Sequence, residues 1–164
     1  MANRSNLTNL LVFGAVVLAV AGLSQFIGLQ VIQHIPEQAT VEINTLLHFT
    51  HVRNHGGVFG MLQGRGWLFA AISLLLLASV VVYLYRATDL PRYEYVCFGF
   101  IVGGGGSNIL DRLIHGSVID FIDIQHIPYW NYIFNTADVM IHVGIWPLLF
   151  MSLFSHRLQH KSEA

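Results

Sequence analysis

The chain has 164 residues, of which 54% are hydrophobic and 10% are charged, and its formal net charge at pH 7 is -1. An average soluble domain carries roughly 25% charged residues, so this composition indicates a membrane protein. The near-neutral charge with scattered basic residues argues against a nucleic-acid partner, and the single cysteine, Cys97, excludes a disulfide framework or a cysteine metal site.

Four apolar segments approach or reach the roughly 20 residues that a transmembrane helix needs. In chain order they are residues 10–32, 67–85, 93–110 and 137–154. The first follows a basic residue and contains Ala19-Val20-Ala21, which resembles a signal-peptide cleavage site. Its apolar character continues to Ile32, too far for a cleavable signal peptide, so we predict a retained span.

The basic residues predict the orientation of these spans, because Lys and Arg accumulate in short cytoplasmic segments. Arg4, Arg86, Arg92, Arg157 and Lys161 flank one set of span ends, whereas Arg53, Arg65 and Arg112 flank the other. This majority predicts that both termini are cytoplasmic. The two longer connecting segments, residues 36–66 and 111–136, then lie on the outer side.

Polar and apolar residues partly alternate in residues 40–44 and 47–52 of the first outer segment, a pattern typical of short strands. We therefore predict an all-α membrane protein with four transmembrane helices. A small β-rich outer segment would lie between helices 1 and 2, and residues 1–164 would form a single polytopic domain.

Two aspartates, Asp120 and Asp138, lie at the edges of strongly apolar segments, at the outer ends of spans three and four. A carboxylate at membrane depth costs at least ~2.5–3.5 kcal/mol, so such an acid is a functional candidate. When two carboxyl groups lie close together in low dielectric, one keeps its proton while the other stays charged. Such a pair can activate a water and protonate a leaving amine.

The structural alternative is that these acids pair with Arg112 or cap helices. For Asp111, which is adjacent to Arg112, we expect this structural role, and for Asp123 we expect solvation at the membrane interface.

Glycines surround two asparagines. Asn54 opens Asn54-His55-Gly56-Gly57, where glycine permits close approach of chain or ligand. Asn108 follows four consecutive glycines and Ser107. That run is also compatible with close helix packing, because Gly99 and Gly103 form a small-xxx-small pattern. Both interpretations stay open.

Two further groups of residues, three histidines and three aromatic residues, each allow a structural and a functional interpretation. His48, His51 and His55 have spacings that could gather zinc on a helix, but the segment has a strand-like pattern and His-Glu-x-x-His is absent from the sequence, so we predict no metal. Tyr129, Trp130 and Tyr132 are typical of a bilayer-surface anchor, with substrate gating as the alternative.

Three motifs occur in order and together resemble the bacterial lipoprotein signal peptidase family, signal peptidase II. They are Asn54-x-Gly-Gly-Val-Phe-Gly, then Ser107-Asn108-Ile-Leu-Asp111-Arg112 with Gly116-x-Val-Ile-Asp120-Phe121, and finally Phe134-Asn135-x-Ala137-Asp138. The length, the four spans and the cytoplasmic termini also agree, so the resemblance covers nearly the whole chain.

The resemblance implies an aspartic endopeptidase of the bacterial inner membrane, with its active site near the periplasmic face. It would remove signal peptides from diacylglyceryl-modified prolipoproteins, cutting before the lipidated cysteine, and would need no metal or organic cofactor. Asp120 and Asp138 match the catalytic dyad. The residues that match substrate-binding or supporting positions are Asn54, Gly56, Asn108, Asp111, Arg112 and Asn135.

The chain departs from the family pattern near the first span. Where the family usually shows Asp-Gln-x-x-Lys, this chain has Ser24-Gln25-Phe26-Ile27-Gly28, and Ser107 replaces a common glycine. Two alternatives to the peptidase therefore stay open: a catalytically altered relative that only binds lipidated peptides, and a small proton-coupled transporter that uses its acids and histidines as a relay.

Overall fold

The computed structural model describes residues 4–57 and 61–162, with side chains for 6–57 and 61–153. The described elements are, in order, α1 (Arg4–His34), β1 (Thr40–Glu42), β2 (Leu47–Asn54), α2 (Gly66–Arg86), α3 (Arg92–His115), β3 (Val118–Ile124), β4 (Ile133–Phe134) and α4 (Thr136–Ser162). Three residues of the Asn54 motif, at positions 58–60, lie outside the described residues. So do the side chains of Arg4, Arg157 and Lys161, which contributed to the predicted orientation.

Within the described residues, α1, α2 and α4 are long and apolar enough to cross a membrane. Many of their large apolar side chains are exposed in the isolated chain, as lipid-facing residues would be; Leu75 on α2 is 73% exposed. The protein is therefore a multi-pass membrane protein. Helix α3, the third predicted span, is less apolar because it contains Glu94, its glycines and Asn108.

Helix α3 packs against each of the other three helices through its glycines. A Cβ atom added to Gly103 would meet Val20 of α1, and one added to Gly105 would meet Leu77 of α2. On Gly104 it would meet the backbone carbonyl of Ala137 in α4. The helix-packing interpretation of the glycine run is confirmed, since only a residue without a side chain lets the helices approach this closely.

The four strands form one antiparallel sheet in the order β1-β2-β3-β4. The predicted strands between the first two helices are present as β1 and β2. The prediction of a β-rich segment there was incomplete, because β3 and β4 come from the segment between α3 and α4. The β-branched residues of Val118–Ile124 favour a strand, and Ile119 packs against Val31 and Ile35 at the end of α1.

Strand β2 contains a β-bulge beside the acids. Phe49 pairs with Ile122 and Val52 with Asp120, so two residues of β2 lie opposite one residue of β3. A bulge shifts the alternation of side chains by one position. Because Asn54 follows Val52 by two residues, the bulge puts Asn54 on the same face of the sheet as Asp120.

The end of helix α3 differs from the sequence prediction. Helix α3 continues to His115, so Asp111 and Arg112, predicted in an outer segment, lie in its last turns. Gly116 then adopts a left-handed conformation with φ 70°, which ends the helix and leads into β3. As a result Asp120 lies in β3, a strand that the sequence did not predict, within the outer segment 111–136.

Candidate active site

Asp120 and Asp138 come from different elements and are linked by a single residue. Asp120 lies in β3 and is 4% exposed, whereas Asp138 lies in the first turn of α4. The side-chain amide of Asn135 donates a hydrogen bond to Asp120 Oδ1 at 2.8 Å. The backbone N–H of Asn135 donates to Asp138 Oδ2 at 3.2 Å. The fold therefore brings both carboxyl groups against Asn135.

Two further amides complete the contacts of this acid pair. Asn54 Nδ2, from the end of β2, donates to Asp120 Oδ2 at 3.0 Å. Asn108 Nδ2, from α3, donates to Asp138 Oδ1 at 2.8 Å, and its oxygen accepts from Asn135 Nδ2 at 3.1 Å. Each of the four carboxyl oxygens thus accepts a hydrogen bond, and three elements of the fold hold the pair.

Asn135 and Asp138 also form the N-terminal cap of α4. Asn135 Oδ1 accepts from the backbone N–H of Asp138 at 3.0 Å, and Asp138 accepts from the backbone N–H of Asn135 in return. This is the reciprocal geometry of a capping box, with Asn135 at the cap and Asp138 three residues later. The Asn-x-x-Asp spacing before an apolar helix is the sequence signal for this cap, and the cap was not predicted.

The loop after Asn54 depends on glycine. Asn54 Oδ1 accepts from the backbone N–H of Gly56 at 3.0 Å, and Asn54 Nδ2 donates to the carbonyl of Gly57 at 3.2 Å. A Cβ atom on Gly56 would overlap the carbonyl of Met61. Gly56 therefore lets the chain fold back tightly and keeps Asn54 oriented toward Asp120.

Arg112 ties α3 to that same loop. Its Nη2 donates to the carbonyl of Gly56 at 2.9 Å, and its Nη1 donates to the carbonyl of Asn108 at 3.0 Å. Asp111 makes structural contacts, as expected, but among the described residues it forms no ion pair with Arg112. Asp111 instead accepts from Gln25 Nε2 at 2.6 Å and from the backbone N–H of Ile119 at 3.1 Å.

The surroundings of Asp120 favour its neutral form. Burial, followed by the negative charge of Asp138, raises the pKa of Asp120 to about 7. Hydrogen bonds from Asn54 and Asn135 and the positive charge of Arg112 oppose this rise. A carboxyl group whose pKa lies near neutrality can carry a proton in one step and release it in the next.

An open cavity of about 450 Å³ adjoins this site between α2 and α3. Arg112 and His55 border it, while most of its other lining residues are apolar or glycine. The side chains of Trp67 and Leu113, both in the lining, are 70% and 73% exposed. The cavity is therefore an apolar recess with a polar edge at Arg112.

The remaining predicted residues lie elsewhere. Asp123 accepts from Thr50 Oγ1 at 2.8 Å at the partly exposed end of β3. His51 is buried and its Nδ1 lies 2.7 Å from the carbonyl of Ile35. Among the described residues, no three His, Cys, Asp or Glu side chains gather as a metal site. Tyr129 is 99% exposed, beside Trp130.

The sequence and fold match known proteins over most of the chain. A family model described as signal peptidase (SPase) II matches residues 16–154. A lipoprotein signal peptidase of Caulobacter vibrioides is 40% identical over 124 residues, covering 71% of this chain and 71% of that protein. A lipoprotein signal peptidase of Helicobacter acinonychis is 32% identical over 161 residues, covering 98% and 99%.

A solved structure described as a bacterial membrane enzyme superposes with a TM-score of 0.75 at 26% identity, covering 90% of this chain and 88% of that one. A second structure with the same description has a TM-score of 0.72 at 26% identity, covering 89% and 92%. Family model, relatives and fold agree, and the chain belongs to the signal peptidase II family of membrane proteases that process lipoproteins.

Proposed function

We propose that this protein is an intramembrane aspartic endopeptidase that removes signal peptides from diacylglyceryl-modified prolipoproteins, cutting before the lipidated cysteine. Family membership and the names of its relatives support the removal of signal peptides from lipoproteins. The observation that carries the aspartic mechanism is the link through Asn135, which hydrogen-bonds to both Asp120 and Asp138.

In this mechanism the pair shares one proton, and Asp120 holds it. Burial and the charge of Asp138 support that choice, because both raise the pKa of Asp120. Asp138 lies at the N-terminus of α4 and accepts from Asn108 and from a backbone N–H, contacts that stabilise a negative charge. Asp138 is therefore the base and Asp120 the acid.

The reaction then needs only water. Asp138 takes a proton from the water whose oxygen attacks the scissile carbonyl carbon, while Asp120 gives its proton to the carbonyl oxygen. When the tetrahedral intermediate collapses, the C–N bond breaks and Asp138 passes its proton to the departing nitrogen. Asp120 regains a proton from the intermediate's hydroxyl, so both groups return to their starting states. No metal or organic cofactor takes part.

Asn54 and Asn135 would orient the substrate backbone as well as the dyad, because both side-chain amides already donate to Asp120, where the scissile bond would lie. Gly56 supports Asn54 by donating to its side-chain oxygen, and Arg112, on α3, supports Gly56 by donating to its carbonyl. The apolar cavity between α2 and α3 is where we place an acyl chain of the substrate, since it borders Arg112 and has exposed apolar walls. Lipid of the bilayer would surround the rest.

We further propose that α3 also crosses the membrane, which makes four spans, that both termini are cytoplasmic and that the site faces the periplasm from the inner membrane. The four helices then alternate in direction. The C-terminal ends of α1 and α3 and the N-terminal ends of α2 and α4 meet at the side of the sheet and the dyad. The arrangement keeps the polar site at one end of an apolar bundle.

The test is cleavage of a diacylglyceryl-modified precursor by purified protein in detergent. Wild-type protein is expected to cut before the lipidated cysteine, and Asp120→Asn and Asp138→Asn are expected to abolish cleavage. Asp123→Asn is the matched control, because Asp123 lies in the same strand as Asp120 but bonds to Thr50. Full turnover by either dyad variant would reject the aspartic assignment.

Measurements of precursor binding and of proton flux, made alongside the cleavage test, separate the alternatives. A relative that only binds lipidated peptides would retain the precursor without cutting it, in wild type and variants alike. A proton-coupled transporter would give proton flux in liposomes without any peptidase activity.

A further inference from the structure

The partly buried side chain of Gln25, on α1, makes a cluster of contacts to α3. Its Nε2 donates to Asp111 Oδ1 at 2.6 Å and lies 3.0 Å from Ser107 Oγ and 3.2 Å from the carbonyl of Ser107. Ser107 is 2% exposed and Asp111 is 8% exposed. A single amide group thus engages two buried polar residues one helical turn apart.

The packing of α1 on α3 explains why a polar contact occurs at this point. A Cβ atom on Gly99 would meet Val16, and one on Gly103 would meet Val20, so contacts repeat every four residues along both helices. The next step of this series reaches Ser24 and Ser107. The interface changes there from glycine against valine to hydroxyl and amide groups.

Asp111 carries this contact onward to the strand that holds Asp120. Its Oδ2 accepts from the backbone N–H of Ile119 at 3.1 Å, and Ile119 immediately precedes Asp120. The Ile119 side chain is 2% exposed and packs on the end of α1. Through Gln25, Asp111 and Ile119, α1 therefore fixes the backbone beside Asp120.

This chain supplies Asp111 with a neutral partner from α1. Ser24 immediately precedes Gln25 on α1, and Gly28 lies three residues after it. Among the described residues, Ser24 Oγ is buried without a hydrogen-bond partner, and a Cβ atom on Gly28 would meet no atom within 4 Å. Neither position therefore replaces the contact that Gln25 makes to Asp111.

We propose that Gln25 and Ser107 are positioning residues for Asp120, acting through Asp111 and the backbone of β3. Ser107 keeps the Gln25 amide directed along α3, and Gln25 keeps Asp111 directed at Ile119. This inference rests on the proposed aspartic mechanism, because the residue positioned is its acid.

The test compares Gln25→Leu, Gln25→Glu and Ser107→Gly with Gln33→Leu, an exposed glutamine of the same helix, as control. Gln25→Leu is expected to lower kcat for a lipidated precursor by about ten- to a hundredfold, since small misplacement of a reacting group has effects of that size. Ser107→Gly should lower kcat less, and Gln33→Leu should leave it unchanged. KM should change little in all three.

Gln25→Glu should be worse than Gln25→Leu, because it places a second carboxylate against Asp111. Adding Asp111→Asn to Gln25→Glu should restore much of kcat, since the new amide can donate to Glu and still accept from Ile119. If Gln25 had a purely structural role, its substitution would change the amount of folded protein or its Tm, and adding Asp111→Asn to Gln25→Glu would not restore kcat.

The outcomes are distinct. If wild type cleaves and Gln25→Leu has an unchanged kcat, or if Asp111→Asn fails to improve Gln25→Glu, the positioning inference is wrong while the proposed function stands. If wild type does not cleave the precursor at all, the proposed function fails and this inference fails with it.

Discussion

Asn135 and Asp138 cap each other at the start of α4, so the pair that begins the helix also forms one side of the dyad. The same Asn135 side chain reaches Asp120 with its amide nitrogen and the Asp138 backbone with its oxygen. The stability of the helix end and the geometry of the acids are therefore coupled in one residue, and substitutions can separate the two contributions.

Asn135→Ser keeps a good helix cap, because serine caps about as well as asparagine, but it removes the amide that reaches Asp120. Asn135→Ala removes both the cap and the amide. We expect both variants to lose cleavage by about a hundredfold or more, since each loses a directed donor at the reacting groups. Asn135→Ala should also be less stable than Asn135→Ser by about 1 kcal/mol.

Cleavage rate and thermal unfolding in the same detergent measure these two effects. The interpretation would be contradicted if Asn135→Ser cut the precursor at the wild-type rate, or if the two variants unfolded at the same temperature.

The sequence predicted the helices because apolar length is a local property. Spans around α1, α2 and α4 follow from continuous apolar runs, and the glycines of α3 were correctly interpreted as packing positions. Strand β3 was missed because its valine and isoleucines were treated as the edge of an apolar segment. Most of its pairing partners lie in β2, far back in the chain, and nothing local to residues 118–124 identifies them.

The motifs identified the candidate site residues, but the sequence could not predict which atoms these residues contact. Asn54, Asn108 and Asn135 come from three separate elements, and which carboxyl oxygen each one reaches depends on a bulge, a helix end and a cap together. Gln25 and Asp111 are 86 positions apart. Such a contact depends on how α1 packs on α3, which the sequence indicates only as a glycine pattern.

Activity should fall at alkaline pH. Because burial and Asp138 raise the pKa of Asp120 to about 7, the proton that Asp120 donates is present below that pH and lost above it. We therefore expect kcat to decrease about tenfold per pH unit above about pH 7. The apparent pKa of this alkaline limb of the pH profile is a property of the coupled pair Asp120 and Asp138. Measured kcat that stayed constant to pH 9 would contradict the role of Asp120 as acid.

Asn54→Ala should shift this pH dependence of kcat. The Asn54 amide lowers the pKa of Asp120 by donating to its charged form, so its removal should raise that pKa further. The alkaline limb of kcat should move to higher pH, even though the maximum rate is lower. A limb that moved to lower pH would show that Asn54 acts in some other way.

Stability should depend on the same titration. The folded protein binds the Asp120 proton more tightly than the unfolded chain does, because the folded pKa of about 7 exceeds the ordinary aspartate pKa of 3.8. Folding stability from this group is thus greatest below about pH 4 and falls as pH rises to about 7, by up to roughly 4 kcal/mol. Asp120→Asn lacks this titration.

The difference in Tm between Asp120→Asn and wild type, taken as variant minus wild type, should therefore increase between pH 4 and pH 7 and level off above. Asp123→Asn, in the same strand, should show no such increase. A difference in Tm that was constant across this range would exclude a raised pKa for Asp120 in the folded protein.

Gly104 and Gly106 lie two positions apart in α3, and their substitution by alanine should have opposite effects on stability. A Cβ atom at Gly104 would overlap the carbonyl of Ala137, in the turn of α4 that carries Asp138, whereas one at Gly106 would meet no atom of the described part of the chain within 4 Å. Gly104→Ala must push this end of α4 away from α3 and separate Asp138 from Asn108. We expect it to lower both Tm and the cleavage rate, the latter by about tenfold or more.

Gly106→Ala should instead raise stability by about 0.5–1 kcal/mol, because alanine favours a helix interior over glycine where no neighbour is displaced. Its cleavage rate should stay near that of wild type. Thermal unfolding and precursor cleavage of the two variants in the same detergent decide between this account and a general intolerance of the glycine run. If both alanines were equally harmful, the close approach of α4 at Gly104 would not be what holds Asp138 in place.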